Sequence, residues 1–398
     1  MADGEKALSH INPSTFNSKQ LAEILPGSIK TLTLYGRIIK LISKFPPFAP
    51  PQHSHRHRRR PLTITMPAAK PLAFRVVDRS DRVGRILHEH FLSAYRKGYV
   101  LCGEKKVAMP TRYADLAESI LDLPIRDDDV WVVSHPKTGT TWTQEMVWLI
   151  GHDLDYEGAK VNLPARFPFI DHTALFDYRT MDIPMPDLPE FVTDSVGFID
   201  RLAGPRFIKT HLPYQLLPTQ LQDPKSKAKM VYVCRNAKDT CVSYYHHCRL
   251  LEGYTGDFHD FCELFLAGAV CFGPFWDHVL DFWARRDQPN VLFLTYEQLK
   301  QDLAGVIRRT AAFLGKQMTD EQVEQLRQHL SFESMKNNPA VNYEEVIEIN
   351  RKYNLITEAG SFMRSGTVGN WKGLMSPEQS LRFDKWSQEH LAGTGLQL

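Results

Sequence analysis

The chain has no apolar run near the roughly 18 residues that a membrane-spanning helix requires, so no membrane partner is expected. Asp3 and Glu5 precede any apolar stretch, unlike a secretory or mitochondrial leader. Six cysteines are present (Cys102, Cys234, Cys241, Cys248, Cys262 and Cys271), but no C-x-x-C pair. The usual zinc and dithiol spacings are therefore missing. Without a leader, these thiols read as reduced side chains of a cytoplasmic protein. Cys241 and Cys248 stand seven apart, on one face of a helix, and read as buried thiols rather than metal ligands. No internal repeat and no heptad pattern occurs. G-x-x-x-x-G-K-[ST], the triphosphate loop, is also absent.

Charge of one sign is scarce as well: the net value over 398 residues is +2. It is unevenly spread. Residues 1–65 hold ten Lys/Arg and three Asp/Glu, net +7, which leaves −5 on the remainder. A body with that balance does not attract nucleic acid through its overall field. It must hold any anionic ligand with fixed local donors. Residues 1–65 read as an N-terminal extension lacking a core. It contains the proline-rich spacer Phe45–Pro51, then alternating His53, His55 and His57, then Arg58, Arg59 and Arg60. Metal binding and nuclear import are the sharp readings of that tract; a solvated basic linker is the plain one. Met66 opens a more ordinary sequence, with a composition that supports a sizeable core (43% hydrophobic, 24% charged over the whole chain).

From Met66 onward, short apolar strands alternate with helical patterns. Strands are expected at Val130–Val133, Phe207–Lys209, Met230–Cys234 and Val291–Thr295. Helices are expected after Thr140, after Lys238, across Phe261–Arg285, after Glu297, across Thr319–Leu330 and from Ser376. There Ser376, Pro377 and Gln379 form an N-cap, an N1 proline and a capping-box partner. The order predicts an α/β domain over 66–398, a parallel sheet flanked by helices, with ligands at the carboxyl ends of the strands.

The stretch from Val130 to Trp142, VWVVSHPKTGTTW, runs from a strand through a tight loop into a helix. First-turn N–H groups have no intrahelical partner, and the helix dipole adds to their positive end. Gly139 admits a close anion, Lys137 adds charge, and Thr138, Thr140 and Thr141 add hydroxyls. That composition suits phosphate or sulfate, although an ordinary strand–turn–helix connection with a surface lysine would read the same. The strand ending at Cys234 delivers Arg235, and Ser243 follows eight residues later on a helix; both suit one phosphate, or a structural salt bridge. Phe207–Pro213 brings Lys209, Thr210 and His211 to the same rim. A histidine is a natural base for an alcohol or phenol, though in isolation it is more often structural. Arg364-Ser365-Gly366 opens a basic loop with a second glycine at 369, suited to another phosphate.

Taken together, HPKTGTTW (135–142), FIKTHLP (207–213), VYVCRNAKDTCVSYYHH (231–247), LTYEQLK (294–300), SFESMKNNP (331–339) and FMRSGTVGNWK (362–372) resemble the cytosolic sulfotransferases in order and spacing over about 66–398. The resemblance implies a P-loop-like strand–loop–helix that binds the donor 3′-phosphoadenosine 5′-phosphosulfate, with no metal. By it, Lys137 to Trp142 bind the 5′-phosphosulfate, with Lys137 at the leaving oxygen and Trp142 against adenine. Arg235, Ser243 and Arg364-Ser365-Gly366 bind the 3′-phosphate. Tyr296, Ser331, Phe332, Met335, Phe362 and Met363 line the adenosine. His211 is the implied base and Lys209 a second catalytic lysine. Lys209, Thr210, His211 and Phe169 border the acceptor.

Departures from the family pattern are Thr138 for the common Ser, Leu330 where a hydroxyl is usual, and His247 where some phenol-specific members carry an aromatic ring. The short dimer motif beginning at Lys372 has Ser376, Pro377 and Leu381 in place of its Thr, Val and Glu, which puts a homodimer through it in doubt. The implied acceptor is a small phenol, catecholamine, steroid or retinoid bearing a hydroxyl or amine. Alternatives are a retinol-dehydratase-like branch that sulfates and then eliminates, a nucleotide kinase, and a binding module without activity.

Overall fold

The computed structural model describes residues 72–180, 188–352, 356 and 359–398. The expected extension, 1–65, lies outside them. The rest falls within one unit, Lys70–Leu398.

Its centre is a four-stranded sheet in the order β5-β4-β6-β7, with β4 Val130–Val133, β5 Phe207–Thr210, β6 Lys229–Cys234 and β7 Val291–Thr295. All three pairings are parallel. Both faces are covered. Trp131, Val133, Ile208, Tyr232 and Cys234 enter one core, and Val130, Val132, Val231, Val233 and Leu294 enter another. That is why these strands read as unbroken apolar runs rather than alternating ones. A separate three-stranded antiparallel sheet is formed by β1 Phe74–Val76, β2 Tyr99–Cys102 and β3 Val107–Pro110.

The helices that shape the site are α1 Thr140–Gly151, α2 Ala237–His247, α3 Phe258–Leu266, α4 Phe275–Trp283, α5 Tyr296–Gln301, α6 Leu303–Leu314, α7 Asp320–His329, α8 Phe332–Asn337 and α9 Pro377–Leu391. The single helix expected across Phe261–Arg285 is two, α3 and α4. Gly268 between them takes φ +69° and Pro274 caps α4 without an N–H to donate, so the apolar periodicity continues through a break. The Ser376/Gln379 capping box with Pro377 at the start of α9 forms as expected. All six cysteines are free and buried.

Register decides where the chemistry sits. Val133 pairs with Thr210 on one side and Tyr232 on the other, and Cys234 pairs with Thr295. The next residues along those strands are Ser134, His211, Arg235 and Tyr296. Four segments far apart in sequence therefore leave the sheet at one edge.

Candidate active site

The loop after β4 is held from beneath. Thr138 Oγ1 donates to the carbonyls of His135 and Val233, both at 2.9 Å, so its hydroxyl is committed to the sheet, and the residue is fully buried. His135 is fully buried among the rings of Tyr244, Phe265, Phe275 and His278. Lys137 takes φ +69° and Gly139 φ +109°. Gly139 is the N-cap of α1, and a Cβ there would lie 2.9 Å from Tyr296 Cδ2, closer than real contacts allow. The left-handed turn aims the first amides of α1 at the rim. Thr140 is 2.7 Å from the Ser134 hydroxyl, and Thr141 is half-buried on the first turn.

Trp142 donates from Nε1 to the Leu330 carbonyl at 2.8 Å and meets Tyr296 edge-on at 5.7 Å. The hydroxyl that Leu330 lacks leaves its main chain in use all the same. Ser331 caps α8 by accepting from the Ser334 N–H, Met335 is buried, and Met363 packs at the edge of the same core. Phe332 meets Gly366, whose φ is +62° and whose added Cβ would stand 2.3 Å from Phe332 Cδ2.

Arg235 is 7% exposed. Its guanidinium lies 4.2 Å over the Tyr296 ring, and Nη2 donates to the Thr367 carbonyl at 2.8 Å. Its Nε is buried and has no partner among the described residues. Ser243 is half-buried on α2. Asp239, one turn after Arg235, accepts from the N–H groups of Gly369 at 2.7 Å and Trp371 at 3.1 Å. This carboxylate therefore fastens the loop that carries Arg364, Ser365 and Gly366. Within the loop, Asn370 lies against Ser365 and Arg364. Burial, and then the neighbouring Arg235 charge, lower the Arg364 pKa.

The other side of the rim is built around His211, which is 7% exposed. Its Nδ1 lies 2.7 Å from the Ser134 carbonyl, and a carbonyl only accepts, so Nδ1 carries the proton. Nε2 is left with its lone pair. The backbone N–H of His211 donates to Asp171 Oδ2 at 2.6 Å, and its carbonyl accepts from His278 Nε2 at 2.9 Å. Thr210, fully buried, donates to Asp171 Oδ1 at 2.8 Å and supports this turn from behind. Burial, then the Lys209 charge, hold the His211 pKa well below the usual imidazole range, so it is neutral at pH 7.

Lys209 lies 4.1 Å over the Phe169 ring, and Phe169 also meets the His211 ring at 5.1 Å. Lys137 lies 3.8 Å over Phe362. Burial brings the Lys137 pKa down to about 7, helped by Lys209 and Arg235; burial brings that of Lys209 down to about 8. Two ammonium groups that ionise this easily await an anion that would restore their full charge.

The structure therefore gathers Lys137, Gly139, Trp142, Arg235 and Tyr296 on one side, and Lys209, His211 and Phe169 on the other. Asp171 and Asp239 were missed from the sequence. Each acts through backbone amides of a distant segment, and neither has a local pattern that announces it. A buried donor without a partner, a cradle that a Cβ would fill and converging cations fit a ligand with two separated anionic groups. Among the described residues no cluster of His, Cys, Asp or Glu is placed to hold a metal ion.

The family model described as "Sulfotransferase domain" matches residues 127–395. Luciferin sulfotransferase of Photinus pyralis is 47% identical over 80% of this chain and 86% of its own length. Amine sulfotransferase of Oryctolagus cuniculus is 34% identical over 69% of this chain and 85% of its own. Among solved structures, retinol dehydratase with retinol and PAP superimposes with a TM-score of 0.75 at 33% identity, covering 83% of this chain and 99% of that one. Mouse sulfotransferase SULT7A1 with PAP gives 0.56 at 26% identity, covering 76% of this chain and 95% of that one.

Proposed function

The chain belongs to the sulfotransferase family, and from that premise we propose that it transfers the sulfuryl group of 3′-phosphoadenosine 5′-phosphosulfate to the hydroxyl of a small aromatic acceptor. The carrying observation is the His211 tautomer: Nδ1 held by the Ser134 carbonyl, Nε2 free, beside Lys209 and Phe169. Phe169, Phe176 and Tyr178 form an aromatic wall beside His172 that suits a flat acceptor. The relative from Photinus pyralis, whose name gives luciferin as acceptor, supports the aromatic choice.

The donor, when bound, supplies the sulfuryl group and a phosphate oxygen that departs with the electrons of the broken S–O bond. His211 Nε2 takes the proton of the acceptor hydroxyl as its oxygen forms the new bond to sulfur. Lys137 and the first amides of α1 stabilise negative charge growing on the departing oxygen. Lys209, over the Phe169 ring that also meets His211, neutralises the non-bridging oxygens. Arg235, with Arg364, holds the 3′-phosphate and fixes the other end of the donor, which aligns the first. The buried cysteines suit a reducing, cytoplasmic setting. No described helix is long and apolar enough to cross a membrane.

One test separates base from scaffold. His211→Ala is expected to bind 3′,5′-diphosphoadenosine within about threefold of the parent while turnover with a phenol falls at least ~100-fold. Turnover like the parent's would remove His211 from the mechanism. A second reading, sulfation followed by elimination, is favoured by the retinol dehydratase superposition. Mass spectrometry of products from a panel of phenols, catecholamines, steroids and retinoids decides it, since elimination releases an anhydro product in place of a sulfate ester.

A further inference from the structure

Glu145 is fully buried on α1, one turn beyond the first amides, and plays no part in the reaction derived above. Its two carboxylate oxygens serve two different segments. Oε1 accepts from His329 Nε2 at 2.8 Å, and Oε2 is bound by Arg166 Nη2. A carboxylate only accepts, so His329 Nε2 carries the proton. Each bond is doubled by a neighbour on the same helix. Trp142, three residues before Glu145, donates to the Leu330 carbonyl at 2.8 Å, next to His329. Gln144 donates from Nε2 to the Phe167 carbonyl at 3.4 Å, next to Arg166.

The two segments lead to opposite sides of the rim. His329 ends α7, and the chain turns at once through Leu330 and Ser331 into Phe332, the ring that meets Gly366. That is the side of Trp142, Arg235 and Tyr296. Arg166 ends the one-turn helix Leu163–Arg166. Its Nε donates to the Val161 carbonyl at 2.9 Å, and its guanidinium lies 4.5 Å over Trp148 of α1. Beyond it, the Pro168 carbonyl accepts from the Lys209 N–H at 2.9 Å, Phe169 bridges to Lys209, and Ile170 donates to the Lys209 carbonyl at 3.1 Å. Asp171 then holds the His211 amide. One buried carboxylate is therefore fastened to both halves of the site, on the helix whose first turn carries the anion loop. A carboxylate shut away from water is unfavourable unless its partners are in place, so neither segment shifts without cost.

We propose that Glu145 is a positioning residue: it sets the corner at 329–332 and the segment 166–171, beside Lys209 and His211, against one helix, α1. The inference rests on the proposed sulfuryl transfer, and it adds what holds donor and base at a fixed separation. Transfer in line needs the acceptor oxygen, placed by His211, close to the sulfur, placed by the start of α1. A displacement of about 1 Å there costs up to ~100-fold in rate. Glu145 touches no substrate in this arrangement and acts only through His329 and Arg166. Its two arms have separate consequences. Loss of the His329 arm loosens the donor, and loss of the Arg166 arm displaces the base.

Single-arm substitutions separate positioning from general support. His329→Leu and Arg166→Met each break one bond and leave Glu145 its other partner. His329→Leu is expected to weaken 3′,5′-diphosphoadenosine about fivefold and to raise KM for the sulfuryl donor alike, with kcat for 4-methylphenol within about twofold of the parent. Arg166→Met is expected to bind the nucleotide within about twofold of the parent and to lose about tenfold in kcat. Glu145→Gln should recover most of the parent's behaviour, since its amide oxygen accepts from Arg166 and its NH2 donates to the other tautomer of His329. Amide hydrogen exchange reads the arms without turnover. It should be faster at 329–335 in His329→Leu, and at 167–171 and 209–211 in Arg166→Met. Should Arg166→Met not fold, Arg166→Lys, which keeps a charge for Glu145 but no fork, is expected to show the same pattern reduced. Equal factors on nucleotide binding and on kcat in both single-arm variants would make Glu145 a general support and overturn the inference, as would parent-like kinetics in both. Arm-specific exchange and nucleotide binding, in a protein that sulfates no acceptor, leaves the positioning standing and rejects the proposed reaction.

Discussion

The guanidinium of Arg235 lies over Tyr296, its carbon 4.2 Å from the ring centroid. The same ring stands where a Cβ on Gly139 would go and meets Trp142 edge-on at 5.7 Å. One tyrosine, the first residue of α5, thus touches both the Lys137–Thr141 loop and Arg235, the two places proposed to hold the donor's ends. The capping box of Thr295 and Gln298 fixes it there. A rigid ring rather than a flexible loop therefore separates Gly139 from the Arg235 guanidinium.

Arg235→Ala is therefore expected to weaken 3′,5′-diphosphoadenosine by about 2 kcal/mol, roughly 30-fold, with a much smaller effect on 5′-AMP, which has no 3′-phosphate. Arg235→Lys should recover little, because an ammonium lacks the planar fork of donors that a guanidinium offers a phosphate. Calorimetric titration of both nucleotides checks this, and equal losses would reject the 3′-phosphate role.

The Lys137 pKa of about 7, produced by burial and by Lys209 and Arg235, leaves this side chain largely neutral at pH 8 in the unliganded protein. A bound phosphate beside it favours the charged form and raises the pKa again. Binding above pH 7 must then take up a proton, and binding well below it takes up none at Lys137, which is already charged. At pH 8, where the ligand's phosphates are fully ionised, about one proton is expected per 3′,5′-diphosphoadenosine bound, with a further contribution from Lys209. Calorimetry in two buffers of different ionisation heat measures it. Lys137→Met should remove most of the uptake; uptake undiminished in that variant would place the proton elsewhere.

How far the sequence was legible follows from the same residues. Val130–Val133 and Val291–Thr295 form strands with the expected bounds, because a β-branched run closed by turn or capping residues has few alternatives. Lys209, His211 and Arg235 stand at or next to strand ends, and Lys137 in the tight loop between a strand and a helix, where local sequence pattern is strongest. The antiparallel β1–β3 sheet was not legible: its strands FRV, YVLC and VAMP carry one β-branched residue each, against three in the equally short Val130–Val133. Asp171 and Asp239 were hidden for another reason. Asp171 serves an amide 40 residues away and Asp239 one 130 away, so their roles exist only after folding.

Asp239 gives the last expectation. Its two oxygens accept from Gly369 and Trp371 at 2.7 and 3.1 Å, and Arg235 Nη2 stands 3.7 Å away. The side chain is 1% exposed, so the pair of amides would be left without an acceptor in Asp239→Ala. The loop carrying Arg364 then loses its fastening to α2, and Arg235 loses a counter-charge. These effects oppose each other at the ligand. A freer loop weakens the grip on the 3′-phosphate, whereas a less compensated arginine strengthens its attraction for any anion. The amide bonds are shorter and more numerous, so the loop term is expected to win, with a loss of about tenfold for 3′,5′-diphosphoadenosine. Asp239→Asn retains one acceptor oxygen and removes the charge, and should lie between parent and Ala. Amide hydrogen exchange at residues 364–371, measured with and without the nucleotide, reads the loop directly. Faster exchange in both variants, suppressed by ligand, is expected. Exchange like the parent's, together with tighter nucleotide binding, would show that Asp239 acts only as a counter-charge to Arg235.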